Sequence, residues 1–154
     1  ACRGNRGERA EVMPPIVPIT YLTTILFDHG AIRSLPGELK AVGIARPLLV
    51  TDRGVVAAGI AGRVLELIPQ SNDLPRFEET PGNPTETAVM KALALYRQGR
   101  CDGVVAVGGG SSMDLAKAVA LLATHPGPLP QYAMSLGGLP KITPAASSAA
   151  SART

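Results

Sequence analysis

The segment 108–114, with the sequence GGGSSMD, contains the residue types that a phosphate-binding turn requires. Gly108, Gly109 and Gly110 lack the Cβ atoms that would block a close approach to the backbone. A helix beginning after them would present unpaired N–H groups and a partial positive charge. Ser111 and Ser112 add hydroxyl groups that can cap this helix or bind a phosphate oxygen. The segment therefore predicts an anion site between a strand and a helix.

Asp114 requires a separate interpretation, because a carboxylate beside a phosphate is unfavourable. Ser111 and Asp114 have the spacing of a capping box, and Lys117 could offset the negative charge. The turn lacks the third glycine of the G-x-G-x-x-G fingerprint and the Gly-Lys-Ser/Thr ending of a P-loop. A sharp strand-to-helix turn without a ligand is the alternative reading of the glycines.

Apolar runs that alternate with helical patterns surround this turn. Residues 47–51 form a continuous apolar run, which is typical of a strand buried on both faces. Pro75 lacks a backbone donor and predicts an edge strand. Asn83 is a good N-cap, with Pro84 at the first helical position and Glu86 completing a capping box. Strands are predicted at 19–27, 47–51, 74–78 and 103–107, and helices at 31–42, 54–68, 84–99 and 113–123.

Strands and helices in this order predict an α/β fold with a parallel sheet and right-handed crossovers. The chain has 154 residues, which suits one domain, and it is 45% hydrophobic but only 3% aromatic, so its core should be aliphatic. The net charge of +3 comes from scattered Lys and Arg, which argues against a nucleic-acid partner. No apolar run approaches the roughly 20 residues that span a bilayer. Cys2 and Cys101 are far apart and give no metal-binding spacing, and we expect a reducing, cytoplasmic setting.

The two ends of the chain differ in composition from the middle. Residues 1–14 form a polar leader in which Met13 would be a natural initiator, and residues 142–154 form a tail rich in Ala and Ser. Both are predicted to be disordered. The folded α/β domain is predicted over residues 15–141.

Four segments together resemble the iron-containing (group III) alcohol dehydrogenases. They are residues 27–31 (FDHGA), 48–54 (LLVTDRG), 83–85 (NPT) and 108–117 (GGGSSMDLAK), in the same order and spacing. The resemblance covers roughly residues 19–141. It implies a Rossmann-like parallel sheet with helices on both faces. The family's C-terminal helical metal domain is expected to be absent from this chain.

The resemblance also implies NAD as the cofactor. The glycine-serine turn would bind the pyrophosphate, and Asp52 would bind the adenosine ribose, where a carboxylate also repels the 2′-phosphate of NADP. Arg53 leaves NADP as an alternative, because a guanidinium can accept that phosphate. The predicted cofactor site comprises Asp52, Asn83, Gly108, Gly109, Gly110, Ser111, Ser112 and Asp114.

The family transfers hydride between NAD(H) and a small primary alcohol or aldehyde, with iron or zinc polarising the substrate oxygen. The metal ligands of the family are one Asp and three His in the C-terminal domain. His29 and His125 match none of them and are predicted to be surface or loop residues. Residues 147–154 replace the family's next motif, so we expect a truncated or frame-disrupted product, or a fragment, that binds no metal and is not catalytic alone.

Two other functions fit the same residues. A non-catalytic binding or dimerisation module, forming a homo-oligomer, would use the apolar surface that a second domain would otherwise cover. A member resembling glycerol dehydrogenase or dehydroquinate synthase would keep the fold and change the reaction. Those relatives often have Lys-Thr where this chain has Ser111 and Ser112, which favours the alcohol dehydrogenase branch.

Overall fold

The computed structural model describes residues 25–69 and 71–143. Their strands are β1 (Pro47–Val50), β2 (Arg76–Phe77) and β3 (Gly103–Ala106), and their α-helices are α1 (Leu35–Ala41), α2 (Arg53–Ala57), α3 (Ile60–Leu65), α4 (Glu86–Gln98) and α5 (Gly110–Thr124). Short 3₁₀ helices occupy Ala31–Ser34, Ser71–Asp73, Leu129–Tyr132, Met134–Leu136 and Leu139–Lys141. No helix within the described ranges is long and apolar enough to cross a membrane.

The three strands form one parallel sheet in the order β2-β1-β3. Leu49 pairs with Arg76 on one side and with Val105 on the other, so β1 is the central strand. All four residues of β1 are buried, as the continuous apolar run predicts. In the described sheet β2 pairs only with β1, which agrees with the edge position predicted from Pro75.

Alternate residues of β1 enter two separate apolar cores. Leu48 and Val50 pack with α4 and α5 on one face of the sheet, and Leu49 packs with α1 and α3 on the other. Successive side chains of a strand point to opposite faces, so one short strand supplies both cores. The predicted α/β fold with helices on both faces is confirmed.

The long helix predicted over 54–68 is wrong as a single element. The structure contains α2 and α3, separated at Ala58 and Gly59, and Gly59 has a φ of +73°. This left-handed conformation favours glycine and interrupts the helical hydrogen bonds. Ile60, the first residue of α3, is 44% exposed.

Two helices begin at residues other than those predicted. Thr85, and not Asn83, caps α4, because its hydroxyl accepts a hydrogen bond from the Ala88 N–H at 3.2 Å. Helix α5 begins at Gly110, three residues before Met113, with Gly109 as its N-cap.

The capping box predicted for Ser111 and Asp114 is absent. The Ser111 hydroxyl donates to the Gly82 carbonyl at 2.7 Å, and Asp114 forms an exposed ion pair with Lys117 at 3.3 Å. Because α5 already starts at Gly110, Ser111 is too far inside the helix to act as its N-cap.

The first predicted strand, 19–27, falls mostly outside the described residues. Its last part, residues 25–27, has no strand structure, and Ile25 and Phe27 are 78% and 98% exposed. The leader 1–14, residues 15–24 and residues 144–154 of the tail also lie outside the described ranges, so the predicted domain boundaries stay predictions.

Asp102 joins the amino ends of β1 and β3. Its carboxylate accepts hydrogen bonds from the Ala45 and Arg46 N–H groups at 2.9 and 2.8 Å. The Arg46 guanidinium donates to the carbonyls of Gly99 and Asp73, at 2.6 and 2.9 Å. These bonds fix the loops that precede β1 and β3. The loops lie at the amino ends of the strands, and the glycine turn lies at the carboxyl ends.

Replacing Asp102 with alanine should lower the free energy of unfolding by about 1–2 kcal/mol, because two backbone donors lose a charged acceptor at a partly solvated site. Urea unfolding measures this change. Glu66→Ala is the matched control, since Glu66 is an exposed acid outside this network. Equal stabilities of the two variants would contradict the role given to Asp102.

Candidate cofactor-binding site

A cleft of about 680 Å³ opens at the carboxyl edge of the sheet. Three chain segments line it, one after each strand: residues 52–54, 79–82 and 109–112. Ligands of open α/β sheets bind in this position, outside the carboxyl ends of the strands. The chain order of the elements therefore brings the glycine turn and Asp52 to one site.

The backbone conformation and the packing around residue 108 require glycine at this position. Its φ is +142°, and a Cβ atom there would lie 2.9 Å from the Ser112 Oγ and 3.2 Å from the Asp52 Oδ2. Gly109 and Gly110 differ, because a Cβ atom on either would meet no protein atom within 4 Å. The folded chain gives no steric reason for these two glycines, whereas a ligand lying against the backbone does.

The start of α5 offers backbone donors to the cleft. The first N–H of this turn to bond within the helix is that of Met113, which donates to the Gly109 carbonyl at 3.2 Å. The N–H groups of Gly110, Ser111 and Ser112 precede it and have no partner in the preceding turn. Together with the positive end of a 15-residue helix, these N–H groups suit an anion.

Two buried hydroxyl groups at the cleft have no hydrogen-bond partner among the described residues. They belong to Ser112, which is 1% exposed, and Thr80, which is 8% exposed. Buried polar atoms are nearly always hydrogen-bonded, so these two hydroxyls leave a partner to be supplied by a ligand or a water molecule. Thr80 was missed from the sequence, although its position just after β2 places it at the same edge as Asp52.

Asp52 is half-buried, lies beside the glycine turn and caps α2. Its Oδ1 accepts a hydrogen bond from the Val55 N–H at 2.9 Å. A carboxylate has several acceptor positions, so capping leaves Asp52 able to accept from a ligand hydroxyl. The neighbouring Arg53 forms an ion pair with Glu79, which also lines the cleft.

The structure brings together five of the eight residues predicted for the cofactor site. Asp52, Gly109, Gly110, Ser111 and Ser112 line the cleft. The remaining three do not line it. Gly108 shapes the turn behind Ser112, Asn83 is exposed in the loop before α4, and Asp114 is exposed beside Lys117.

The predictions for the two histidines have different outcomes. His29 is exposed, as predicted. His125 lies in the bend after α5, as the loop prediction expects, but it is only 7% exposed and is therefore not a surface residue. Its Nε2 accepts from the Thr143 N–H at 3.0 Å, its Nδ1 lies 2.9 Å from the Thr124 hydroxyl, and its ring packs edge-on against Tyr132. The imidazole thus holds residue 143 to the end of α5.

Within residues 25–69 and 71–143, no group of three or more His, Cys, Asp or Glu side chains could hold a metal ion. The described residues therefore offer no donor set that fits the iron or zinc of the resemblance. Cys101 is buried at the start of β3, far from the glycine turn in the sheet.

Burial raises the pKa of the Cys101 thiol to about 11 from its ordinary value of 9.0, with Arg46 opposing the rise and Asp102 adding to it. Between these two pH values the unfolded chain loses the thiol proton and the folded chain retains it. Cys101 should therefore lower the free energy of unfolding as pH rises through this window and have no such effect below it. Urea unfolding of the native chain and Cys101→Ala at both ends of the window measures the difference, and identical pH slopes would contradict it.

Comparison with known proteins identifies the family. The family model described as iron-containing alcohol dehydrogenase matches residues 23–150. The chain belongs to the iron-containing alcohol dehydrogenase family. The resemblance seen in the four sequence motifs is thereby confirmed.

Individual members are similar over most of this chain. A 4-hydroxybutyrate dehydrogenase of Cupriavidus necator is 56% identical over 125 residues, which are 81% of this chain and 32% of that protein. A choline dehydrogenase of Bacillus subtilis is 40% identical over 77% of this chain and 30% of that protein. The chain thus spans about a third of the length of these curated relatives.

A solved 1,3-propanediol oxidoreductase has the same fold in this region. It superposes with a TM-score of 0.63 at 36% identity, covering 67% of this chain and 27% of that chain. A sulfoacetaldehyde reductase from Bifidobacterium kashiwanohense, solved in complex with NAD+, superposes with a TM-score of 0.60 at 28% identity, covering 67% of this chain and 27% of that one.

Proposed function

We propose that this chain is the nucleotide-binding part of an NAD-dependent alcohol dehydrogenase and that NAD binds in the cleft at the carboxyl edge of the sheet. The observation that carries the proposal is that three features meet there: N–H groups at the start of α5, two glycines open to the cleft, and two buried hydroxyls that have no partner within residues 25–69 and 71–143. The N–H and hydroxyl groups can donate hydrogen bonds to a polar, anionic ligand, and the glycines allow that ligand to approach the backbone.

In this proposal the pyrophosphate lies against Gly109 and Gly110. The N–H groups of Gly110, Ser111 and Ser112 donate to its oxygens, as helix N-termini commonly do to phosphates. The Ser112 hydroxyl gains a partner in the same way. Gly108 keeps the turn tight, and Ser111, bound to the Gly82 carbonyl, holds the loop before α4 against α5.

Asp52 accepts hydrogen bonds from the adenosine ribose. A carboxylate at the end of a strand suits a ribose diol and repels a 2′-phosphate, so NAD is preferred over NADP. Asn83, next to Gly82 of the cleft, lies at the rim of the same site. Asp114 affects the cofactor only through charge, which Lys117 offsets.

The substrate that we propose is a small primary alcohol or its aldehyde. The 56% identical relative is named a 4-hydroxybutyrate dehydrogenase, and this favours a short substrate with a terminal hydroxyl group. NAD, when bound, supplies the hydride acceptor. The described residues hold and orient the cofactor, and we place the metal and the substrate contacts outside them.

We further propose that the 154-residue chain alone binds NAD without turnover, because it spans about a third of its curated relatives. The purified chain would be incubated with NAD, iron or zinc, and short alcohols, and NADH absorbance would be followed. No NADH should form. Metal-dependent turnover by the chain alone would contradict this part of the proposal.

Thermal unfolding tests the binding itself. NAD and ADP-ribose should raise the unfolding temperature in proportion to the logarithm of their concentration, because both bind only the folded chain. Nicotinamide mononucleotide lacks the adenosine ribose and should raise it less. Equal shifts with all three compounds would contradict the roles given to Asp52 and the glycine turn.

A further inference from the structure

Three charged side chains meet at one rim of the cleft. Asp52, Arg53 and Glu79 all line it, and the Arg53 Nη2 lies 2.5 Å from the Glu79 Oε1. Arg53 follows β1 and Glu79 follows β2, so the ion pair joins the ends of two neighbouring strands. The Arg53 and Glu79 side chains are 80% and 58% exposed.

We propose that Glu79 determines the choice between NAD and NADP by occupying Arg53. This inference rests on the proposed function of the cleft and names a specificity residue beyond Asp52. NADP differs from NAD by a phosphate on the ribose 2′ oxygen, and an arginine beside the ribose-binding acid is the group that can accept it. Here the guanidinium is already paired with a carboxylate, so a 2′-phosphate must compete with Glu79 for it.

The geometry gives Glu79 this role and gives none to its neighbour Glu78. Glu78 does not line the cleft, although both acids border a second depression beside α4. The two acids have equal charge and adjacent positions, yet only Glu79 contacts Arg53. Because the Arg53–Glu79 pair is exposed, it contributes little to stability, and removing it should leave the fold intact.

Glu79→Gln tests the proposal, with NAD and NADP titrated separately by calorimetry. The affinity for NADP relative to NAD should rise about fivefold, because the 2′-phosphate then gains one exposed ion pair with Arg53 without displacing Glu79. Glu78→Gln makes the same charge change one residue away and should leave the ratio unaltered. An equal rise in both variants would overturn the proposal, because a general loss of negative charge would then explain it.

The double variant Arg53→Gln/Glu79→Gln tests the route through Arg53. Adding Glu79→Gln to Arg53→Gln should produce no further gain for NADP. A persisting gain would overturn the proposal in favour of direct repulsion by Glu79. An unchanged ratio in Glu79→Gln while the native chain binds NAD would overturn this inference alone, whereas a folded native chain that binds neither dinucleotide would overturn the proposed function as well.

Discussion

Replacing Gly110 with alanine should lower NAD affinity at least about tenfold and leave the fold intact. Gly110 is the first residue of α5 and lines the cleft, and an added Cβ atom would meet no protein atom within 4 Å. The methyl group would instead occupy space that the proposed pyrophosphate needs. Stability should not fall, since alanine is a better helix residue than glycine by about 0.5–1 kcal/mol.

Gly62→Ala is the matched control for this change. Gly62 lies in α3, outside the cleft, and its added Cβ atom would also meet nothing within 4 Å. Both variants should have a free energy of unfolding at least equal to that of the native chain. Only Gly110→Ala should have a lower affinity for NAD, as measured by calorimetric titration. Native affinity in Gly110→Ala would place the pyrophosphate elsewhere.

Replacing Asp52 with serine should reduce NAD affinity about 10- to 100-fold, because hydrogen bonds to a charged group contribute roughly 1.5–3 kcal/mol. Serine is a good N-cap and can still accept from the Val55 N–H, so α2 should remain capped. The shorter hydroxyl lacks the carboxylate that we assign to the ribose. Affinity for NADP should fall less, since a negative charge near the 2′-phosphate is also removed.

Asp52→Ala separates the two roles of this residue. The Asp52→Ala variant should have the same reduced affinity for NAD as Asp52→Ser. Its free energy of unfolding should also fall by about 1 kcal/mol, because the helix cap is removed. Titration and urea unfolding of the two variants give both quantities. If Asp52→Ser binds NAD like the native chain, Asp52 is a helix cap alone.

The sheet could be predicted from the sequence because its signals are local. A continuous apolar run predicts the buried strand β1. Gly43, which directly follows the C-cap of α1, has a φ of +73°, a helix-ending conformation that glycine adopts readily. The break at Gly59 was missed, since one glycine inside a helical pattern is compatible with an unbroken helix. Asn83 and Thr85 are both good caps by residue type, and sequence alone could not decide between them.

The sequence predicts those residues of the candidate site that belong to recognisable motifs, and it does not predict the others. The glycine-serine turn and Asp52 follow strands that pair, so their meeting follows from the parallel topology. Thr80 belongs to no motif, and its unpaired hydroxyl is visible only in the folded chain. His125 is buried by contacts with residue 143, eighteen positions away, and no local pattern indicates such a contact.

The most direct test of the central claim is calorimetric titration of the folded native chain with ADP-ribose. This compound contains the adenosine ribose and pyrophosphate groups that Asp52 and residues 109–112 are proposed to bind, and it needs neither metal nor substrate. We predict binding of one molecule per chain, weakened by both Gly110→Ala and Asp52→Ser. A chain shown to be folded by circular dichroism that binds no ADP-ribose would contradict the proposed cofactor site.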